Sequence, residues 1–180
     1  MKKALVFMLF LVGMFPLSVM ADDTLVQFKG GIGVIPVSSG QGIGATATVV
    51  NRNIVRGVQP AGQLWRIADL EADVKVDGRI SVDGRGLLLA GGNGIGTNAN
   101  AKVFATLICE ATPPFTQRNS NLAGVPLAPN GDFRIDDVLT PAPVSCASPV
   151  LLIRSANNQN WFAAGIREGG GDGDGDGDGD

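Results

Sequence analysis

The 180 residues contain no histidine and no tyrosine. A Ser-His-Asp triad, a Cys-His pair, a His-ligated zinc ion and a tyrosine proton donor are therefore excluded. The glycine-rich segments 40–44 and 92–96 lack the Gly-Lys-Ser/Thr and the following helix of a phosphate-binding loop. We interpret these segments as turns and expect no cofactor, so that catalysis would depend on carboxylates, lysines and hydroxyls.

Cysteine is scarce, with only Cys109 and Cys146 in the chain. An even count in an exported protein favours a disulfide, which would stabilise the fold by roughly 4 kcal/mol through loop closure. Two buried free thiols are the alternative. No C-x-x-C motif indicates a redox-active pair.

The chain also lacks an excess of basic residues. Two of the 14 basic residues lie at positions 2 and 3, and five of the 17 acidic residues lie after position 169, so residues 22–168 carry 12 of each sign. Such a neutral body has no electrostatic field to attract nucleic acid or anionic lipid. We therefore expect neither as a partner.

A short apolar run stands near the N-terminus. Two lysines precede the apolar residues 4–12, and Val19 and Ala21 supply small side chains before Asp22, as in a secretory signal cleaved after Ala21. A retained membrane anchor is the alternative, but polar and helix-breaking residues interrupt the run before it reaches the roughly 20 apolar residues that a bilayer requires. We predict a signal over residues 1–21, no membrane segment after cleavage, and a secreted protein, extracellular or periplasmic.

Residues 22–168 read as one β domain. Across residues 64–76 the even positions are mainly apolar and the odd positions mainly acidic or basic, which predicts a strand with one buried face. Asp77-Gly78 predicts a two-residue hairpin turn of the primed type. Asp83-Gly84 predicts either a second turn or a bulge in a strand that runs on to Leu89.

Further strands are predicted at residues 25–29, 45–50, 102–109, 132–138, 150–154 and 161–166. Residues 102–109 and 150–154 are apolar at successive positions, which is typical of central strands buried on both faces. Loops rich in glycine and proline separate them, and no segment has a capped helical stripe. We predict an all-β fold, a single antiparallel β-sandwich that is immunoglobulin-like in the broad sense, with a small β-barrel as the alternative.

Two residues provide a candidate binding site. If the even positions of residues 64–76 face the core, Trp65 and Ile67 project from the opposite face, where an indole can stack on a sugar ring or contact a protein partner. The alternative is that a loop or a second sheet covers Trp65.

A pair of carboxylates could instead hydrolyse a glycosidic bond. The candidates are Asp69, Glu71, Asp73, Glu110, Asp132, Asp136 and Asp137. No neighbouring motif singles out any of them, and the like charges at Asp69, Glu71 and Asp73 are typical of a solvated strand face.

The chain ends in alternating glycine and aspartate. Asp172, Asp174 and Asp176 match the first half of a calcium loop, but the bidentate glutamate that closes such a loop is missing. We predict a disordered acidic tail over residues 169–180 with no metal site. The tail aspartates, Asp172, Asp174, Asp176, Asp178 and Asp180, would bind cations weakly and without specificity.

Three functions are consistent with these features. The leading hypothesis is a secreted, non-catalytic β protein that binds a ligand or macromolecule, with a glycan or a protein as the partner. The alternatives are a structural or adhesive subunit that pairs through exposed strand edges, and a carboxylate-based hydrolase.

Overall fold

The protein is described by a computed structural model that covers residues 23–41 and 49–169. These residues form strands, turns and loops, and no helix among them is long and apolar enough to cross a membrane. The strands are β1 Thr24–Gly33, β2 Val37–Gln41, β3 Val49–Arg52, β4 Trp65–Arg66, β5 Asp69–Lys75, β6 Arg79–Arg85, β7 Leu88–Leu89, β8 Lys102–Ile108, β9 Arg118–Asn119, β10 Val125–Pro126, β11 Phe133–Val138, β12 Val150–Ser155 and β13 Trp161–Arg167.

One antiparallel sheet dominates the fold, with the strand order β10-β8-β12-β13-β1-β5-β6-β11 and with β9 paired to β8. Its two edge strands, β10 and β11, approach each other, so the sheet is nearly closed and resembles a barrel. The all-β, antiparallel prediction is confirmed. Of the two architectures expected, near-closure favours the barrel, because both edges of one sheet meet instead of two sheets facing each other.

Period-two alternation determines which side chains enter the core. In β5, Leu70, Ala72 and Val74 are buried while the intervening residues face outward. Strands β8 and β12 are buried on both faces, as their continuous apolar pattern predicts, and they pair with each other, with β8 next to the edge strand β10.

The hairpin between β5 and β6 lies where it was expected, but its turn type differs. Lys75 and Arg79 end the two strands, so three residues form the loop, and the Gly78 N–H donates to the Lys75 carbonyl at 3.0 Å. Gly78 has φ of 89° while Asp77 does not adopt positive φ. The prediction of a two-residue primed turn is wrong, since only Gly78 takes the left-handed conformation of a three-residue loop.

Asp83-Gly84 is neither a turn nor a bulge. Both residues lie inside β6 and pair in regular register with β5 and β11. A Cβ on Gly84 would lie 2.1 Å from the ring of Phe133, its cross-strand partner. Glycine is therefore required here because the aromatic ring occupies the space of its side chain.

The predicted strand over residues 64–76 is broken. β4 ends at Arg66 and β5 begins at Asp69, and the buried parity changes between them: Trp65 is buried before the break, and Leu70 after it. The assignment of even positions to the core is correct for β5 and wrong for β4. Two residues outside the strands suffice to reverse which parity faces inward.

Three short strands form in segments that the sequence assigns to loops, namely β2, β9 and β10. β2 pairs only with β3, whereas β9 and β10 both pair with β8. The predicted signal (1–21), most of the predicted tail (170–180) and part of the predicted strand (45–48) lie outside the described residues.

Candidate functional site

Cys109 and Cys146 form a disulfide, which confirms the predicted pairing. Cys109 directly follows the last residue of the buried strand β8, and its carbonyl accepts a hydrogen bond from the Ser148 N–H at 3.0 Å. The disulfide and this hydrogen bond together connect the loop before β12 to the end of β8. A structural disulfide of this kind indicates an oxidising, non-cytosolic environment.

An ion pair stands beside the disulfide. Arg118 donates to Glu110 Oε1 at 2.9 Å, and the Thr116 N–H donates to Glu110 Oε2 at 3.2 Å. The Arg118 hydrogen bond, helped by that backbone N–H, lowers the pKa of Glu110 from 4.5 to about 2. Glu110 is therefore a fixed anion that anchors the loop between β8 and β9.

Arg154 is a buried cation without an ion pair in the part of the chain that the structure describes. Its guanidinium lies 5.1 Å from the centre of the Phe104 ring and donates to Gln117 Oε1, Thr106 Oγ1 and the Gln159 carbonyl. Burial lowers its pKa to about 10. Because neutral acceptors and an aromatic ring surround this group, it packs beneath the loop between β8 and β9 that contains Gln117.

The two sequence-predicted binding residues lie in or against the core. Trp65 is 6% exposed, and its ring stacks on Phe162 with 4.0 Å between centroids. Ile67 is partly buried against the core. The binding hypothesis assumed an exposed indole, but the break after β4 turns Trp65 inward. Ligand binding at Trp65 and Ile67 stays a prediction.

The candidate carboxylates are distributed over several environments. Asp73 pairs with Lys75, Asp136 with Arg134 and Glu110 with Arg118. Others serve backbone groups: Asp69 accepts from its neighbour's N–H, and Asp132 accepts from the Gly86 N–H. Wherever a carboxylate pKa is shifted (Asp77, Glu110, Asp136), it is lowered by a hydrogen-bonding partner. A glycosidase acid requires the opposite shift.

The two edges of the main sheet face each other across an open seam between β11 and β10. The Leu139 N–H donates to the Gly78 carbonyl on the β6 side, whereas Thr140 and Asn119 exchange backbone hydrogen bonds of 2.8 and 3.0 Å on the opposite side. Because successive N–H groups of a strand point to opposite edges, the even-numbered residues of β11 direct their backbone groups into the seam. The Asn119–Thr140 bridge closes only its end.

Pro126 explains why the seam stays open beside β10. The Leu127 N–H donates to the Ala101 carbonyl on the β8 side, so the preceding residue faces the seam by the same alternation. That residue is proline, which has no N–H to donate. The seam-facing edge of β10 therefore cannot complete a ladder with β11.

The Asp137 carboxylate supplies part of the hydrogen bonding that a β10–β11 ladder would have provided across the seam. Its side chain lies on the same face as the buried Phe133 and Ile135. Oδ1 accepts the Val138 N–H at 2.8 Å, and Oδ2 accepts the Asn121 N–H at 2.7 Å across the seam. Among the described residues, Asp137 has no ion pair.

Two adjoining cavities occupy the seam, and we call them together the seam cleft. The smaller, about 170 Å³, has apolar walls and a polar rim; its lining is Val103, Ser120, Asn121, Gly124, Val125, Ile135, Asp136 and Asp137. The larger, about 410 Å³, has a mainly polar lining: it shares Ser120, Asn121 and Asp137 with the smaller and adds Asn119, Thr140 and two exposed apolar residues, Leu122 and Val138. Apolar walls with a few converging polar groups are typical of ligand sites.

The outer face of β1, β5 and β6 carries a separate groove of about 310 Å³. Its accessible side chains are mainly charged, and its two apolar members, Phe28 and Ala72, are buried on the core side. The lining of this groove is therefore more polar than that of the smaller seam cavity.

Sequence reasoning named only two residues of the seam cleft, Asp136 and Asp137, and gave them a hydrolytic role. It missed Ser120, Asn121 and Val125, which lie in a predicted loop. One signal was available: a valine followed by proline is compatible with an edge strand, and an edge strand is where a sheet leaves backbone groups unpaired.

No group of three or more metal-ligating side chains occurs within residues 23–41 and 49–169. Comparison of the chain with known protein families, curated proteins and solved structures finds no match.

The lowered pKa of Glu110 predicts pH-dependent stability. A carboxylate with a folded pKa of about 2 and an ordinary value of 4.5 stabilises the fold above pH 4.5, and this contribution disappears as the pH falls toward 2. Since the side chain is 27% exposed, we expect Glu110→Gln to cost about 1–2 kcal/mol at neutral pH. The free energy of unfolding from denaturant titrations at several pH values measures this.

Glu71→Gln is the matched control, because Glu71 is exposed on β5 and has no ion pair in the described chain. It should leave stability within about 0.5 kcal/mol of the parent. A Glu110→Gln deficit that persists unchanged at pH 2 would show that the loss comes from packing and not from charge.

Proposed function

We propose that this protein is an exported, non-catalytic binding protein whose ligand occupies the seam cleft. The observation that carries this proposal is the open seam itself, where apolar walls, polar rim groups and unpaired backbone groups of β11 converge. Within residues 23–41 and 49–169, every other strand on the path of the main sheet pairs on both sides, so the seam is where the edge strands of this sheet leave backbone groups unpaired.

Several features support a non-catalytic role over the hydrolase alternative. The Asp136 carboxylate forms an ion pair with Arg134, with 2.6 Å between Oδ2 and Nε, and the Asp137 carboxylate accepts two backbone N–H groups. Histidine and tyrosine are missing from the sequence. A binding role requires only the shape and polarity of the cleft.

Export is supported by the disulfide and by the N-terminal sequence pattern. The disulfide requires an oxidising compartment to form and persist, and residues 1–21 have the charge, apolar run and small residues of a cleavable signal.

The assembly-subunit alternative has one specific observation in its favour. The β2–β3 hairpin pairs with no other strand of the described chain, and the edge of a two-stranded sheet is a place where another chain can add. The edges of the main sheet do not serve this purpose as readily, because they face each other across the seam.

A ligand screen by thermal shift on the full chain tests the binding function. We expect a compound that raises the melting temperature of the parent, and its affinity should fall at least tenfold in Leu122→Trp, because the larger side chain fills the mouth of the cleft. Leu122 is 48% exposed, so the fold tolerates the change. Val144→Trp, at a position that is 96% exposed and does not line the cleft, is the control; equal losses in both variants would refute the site.

Intact mass of the exported protein tests its processing. A chain that begins at Asp22 and is lighter by two hydrogens than its reduced form is expected. Recovery of the uncleaved chain with two free thiols would contradict export.

Sedimentation velocity over a wide range of protein concentration separates binding from assembly. A binding protein should stay monomeric, whereas pairing through the hairpin should give a mass that rises with concentration. Val37→Pro removes a backbone N–H of β2 that a strand from another chain would need for pairing. Concentration-dependent oligomers that disappear in this variant would favour the assembly alternative.

A further inference from the structure

The loop between β11 and β12, residues 139–149, carries the most exposed large apolar side chain of the described chain. Val144 is 96% exposed, whereas Pro143 beside it is buried. The chain bends at Val144, which places this side chain at the apex of the loop. Among the described residues, no backbone hydrogen bond involves positions 141–147. Because Ser145 is exposed as well, another molecule can reach the peptide bond that joins it to Val144.

The first half of this loop is held in place just before its apex. Thr140 and Asn119 exchange backbone hydrogen bonds of 2.8 and 3.0 Å. Pro141 and Pro143 then fix two φ angles, and Ala142, which precedes a proline, is confined to extended conformations. The chain therefore approaches the apex as a stiff, extended segment.

The second half is held just after the apex. Cys146, two residues beyond Val144, is bonded to Cys109. The Ser148 N–H donates to the Cys109 carbonyl at 3.0 Å, and Arg56 donates to the carbonyl and the hydroxyl of Ser148. The apex is thus fixed from both sides within a few residues.

A fixed, protruding segment of this kind fits the active site of a serine protease. In these enzymes the side chain before the scissile bond enters a specificity pocket, whose size and charge select the residue. A loop that is already held in shape loses little conformational entropy when it binds. Val144 is a branched aliphatic residue, and residues 139–149 contain no charged side chain. This chemistry selects a protease with a small apolar pocket, not one that requires lysine or arginine.

We propose that the 139–149 loop inhibits serine proteases that have a small apolar specificity pocket, with Val144 as the residue that enters the pocket. This inference goes beyond the binding function proposed above, because Val144 lines neither cavity of the seam cleft.

The disulfide explains why the loop inhibits such a protease instead of serving as its substrate. The protease serine bonds to the Val144 carbonyl carbon, and the protease histidine passes the serine proton to the Ser145 amine as the C–N bond breaks. Since Cys146 stays bonded to Cys109, that amine remains beside the new acyl ester. The same steps in reverse restore the peptide bond and release the protease serine, and the tethered amine competes with water for the ester.

Inhibition of pancreatic elastase by the full chain tests this, because its specificity pocket is small. We expect competitive inhibition of the hydrolysis of a chromogenic peptide, with the bond after Val144 mostly intact in the recovered chain. Val144→Asp should weaken inhibition about a hundredfold, since the pocket would bury an unpaired carboxylate. Val144→Lys should inhibit trypsin, which the parent should not.

Ile95→Asp is the matched control, because Ile95 is 66% exposed in a different loop, and this variant should inhibit elastase like the parent. The double variant Cys109→Ser, Cys146→Ser should be cut after Val144; if it does not fold, Val144→Asp and Val144→Lys decide. Equal inhibition by the parent and Val144→Asp, or rapid hydrolysis of the parent after Val144, would overturn the inference. Absence of elastase inhibition refutes the inference alone, while a thermal-shift ligand sensitive to Leu122→Trp would leave the proposed function intact.

Discussion

Backbone hydrogen bonding at the two edges of the main sheet is the constraint on which the rest of the structure depends. An antiparallel sheet that curls on itself must pair its last strand with its first or leave a row of unpaired groups. Here Pro126 cannot donate toward β11, and closure is left to the Asn119–Thr140 bridge and to the carboxylate of Asp137. The barrel therefore contains a cleft lined by core residues, without a separate binding loop.

Much of the fold follows from sequence periodicity. Continuous apolar runs correctly identify β8 and β12 as interior strands buried on both faces, and alternation correctly gives the buried face of β5. Periodicity does not predict local structure or burial where these depend on a contact with a residue distant in the sequence. The space that Gly84 leaves is occupied by Phe133, nearly fifty positions later in the chain, and Trp65 is drawn inward by stacking on Phe162 from β13. Neither partner is visible in a local window.

The candidate site was less predictable, for a physical reason. Its members come from three separate segments, represented by Val103, Ser120 to Val125, and Ile135 to Asp137, and no motif spacing connects them. The residues are also of ordinary types, since a cleft for binding requires shape and unsatisfied hydrogen-bonding groups, not a catalytic constellation. Trp65, the aromatic residue that the sequence predicts at the binding site, is buried and stacks on Phe162.

The position of β1 and β13 has a consequence for orientation. These neighbouring strands stand at the centre of the sheet order, with three strands between them and the seam in each direction. The Glu168 N–H donates to the Gln27 carbonyl, so the two ends of the described domain emerge side by side, on the wall of the barrel opposite the seam. A protein attached to a surface through either end would thus turn its cleft toward the solution.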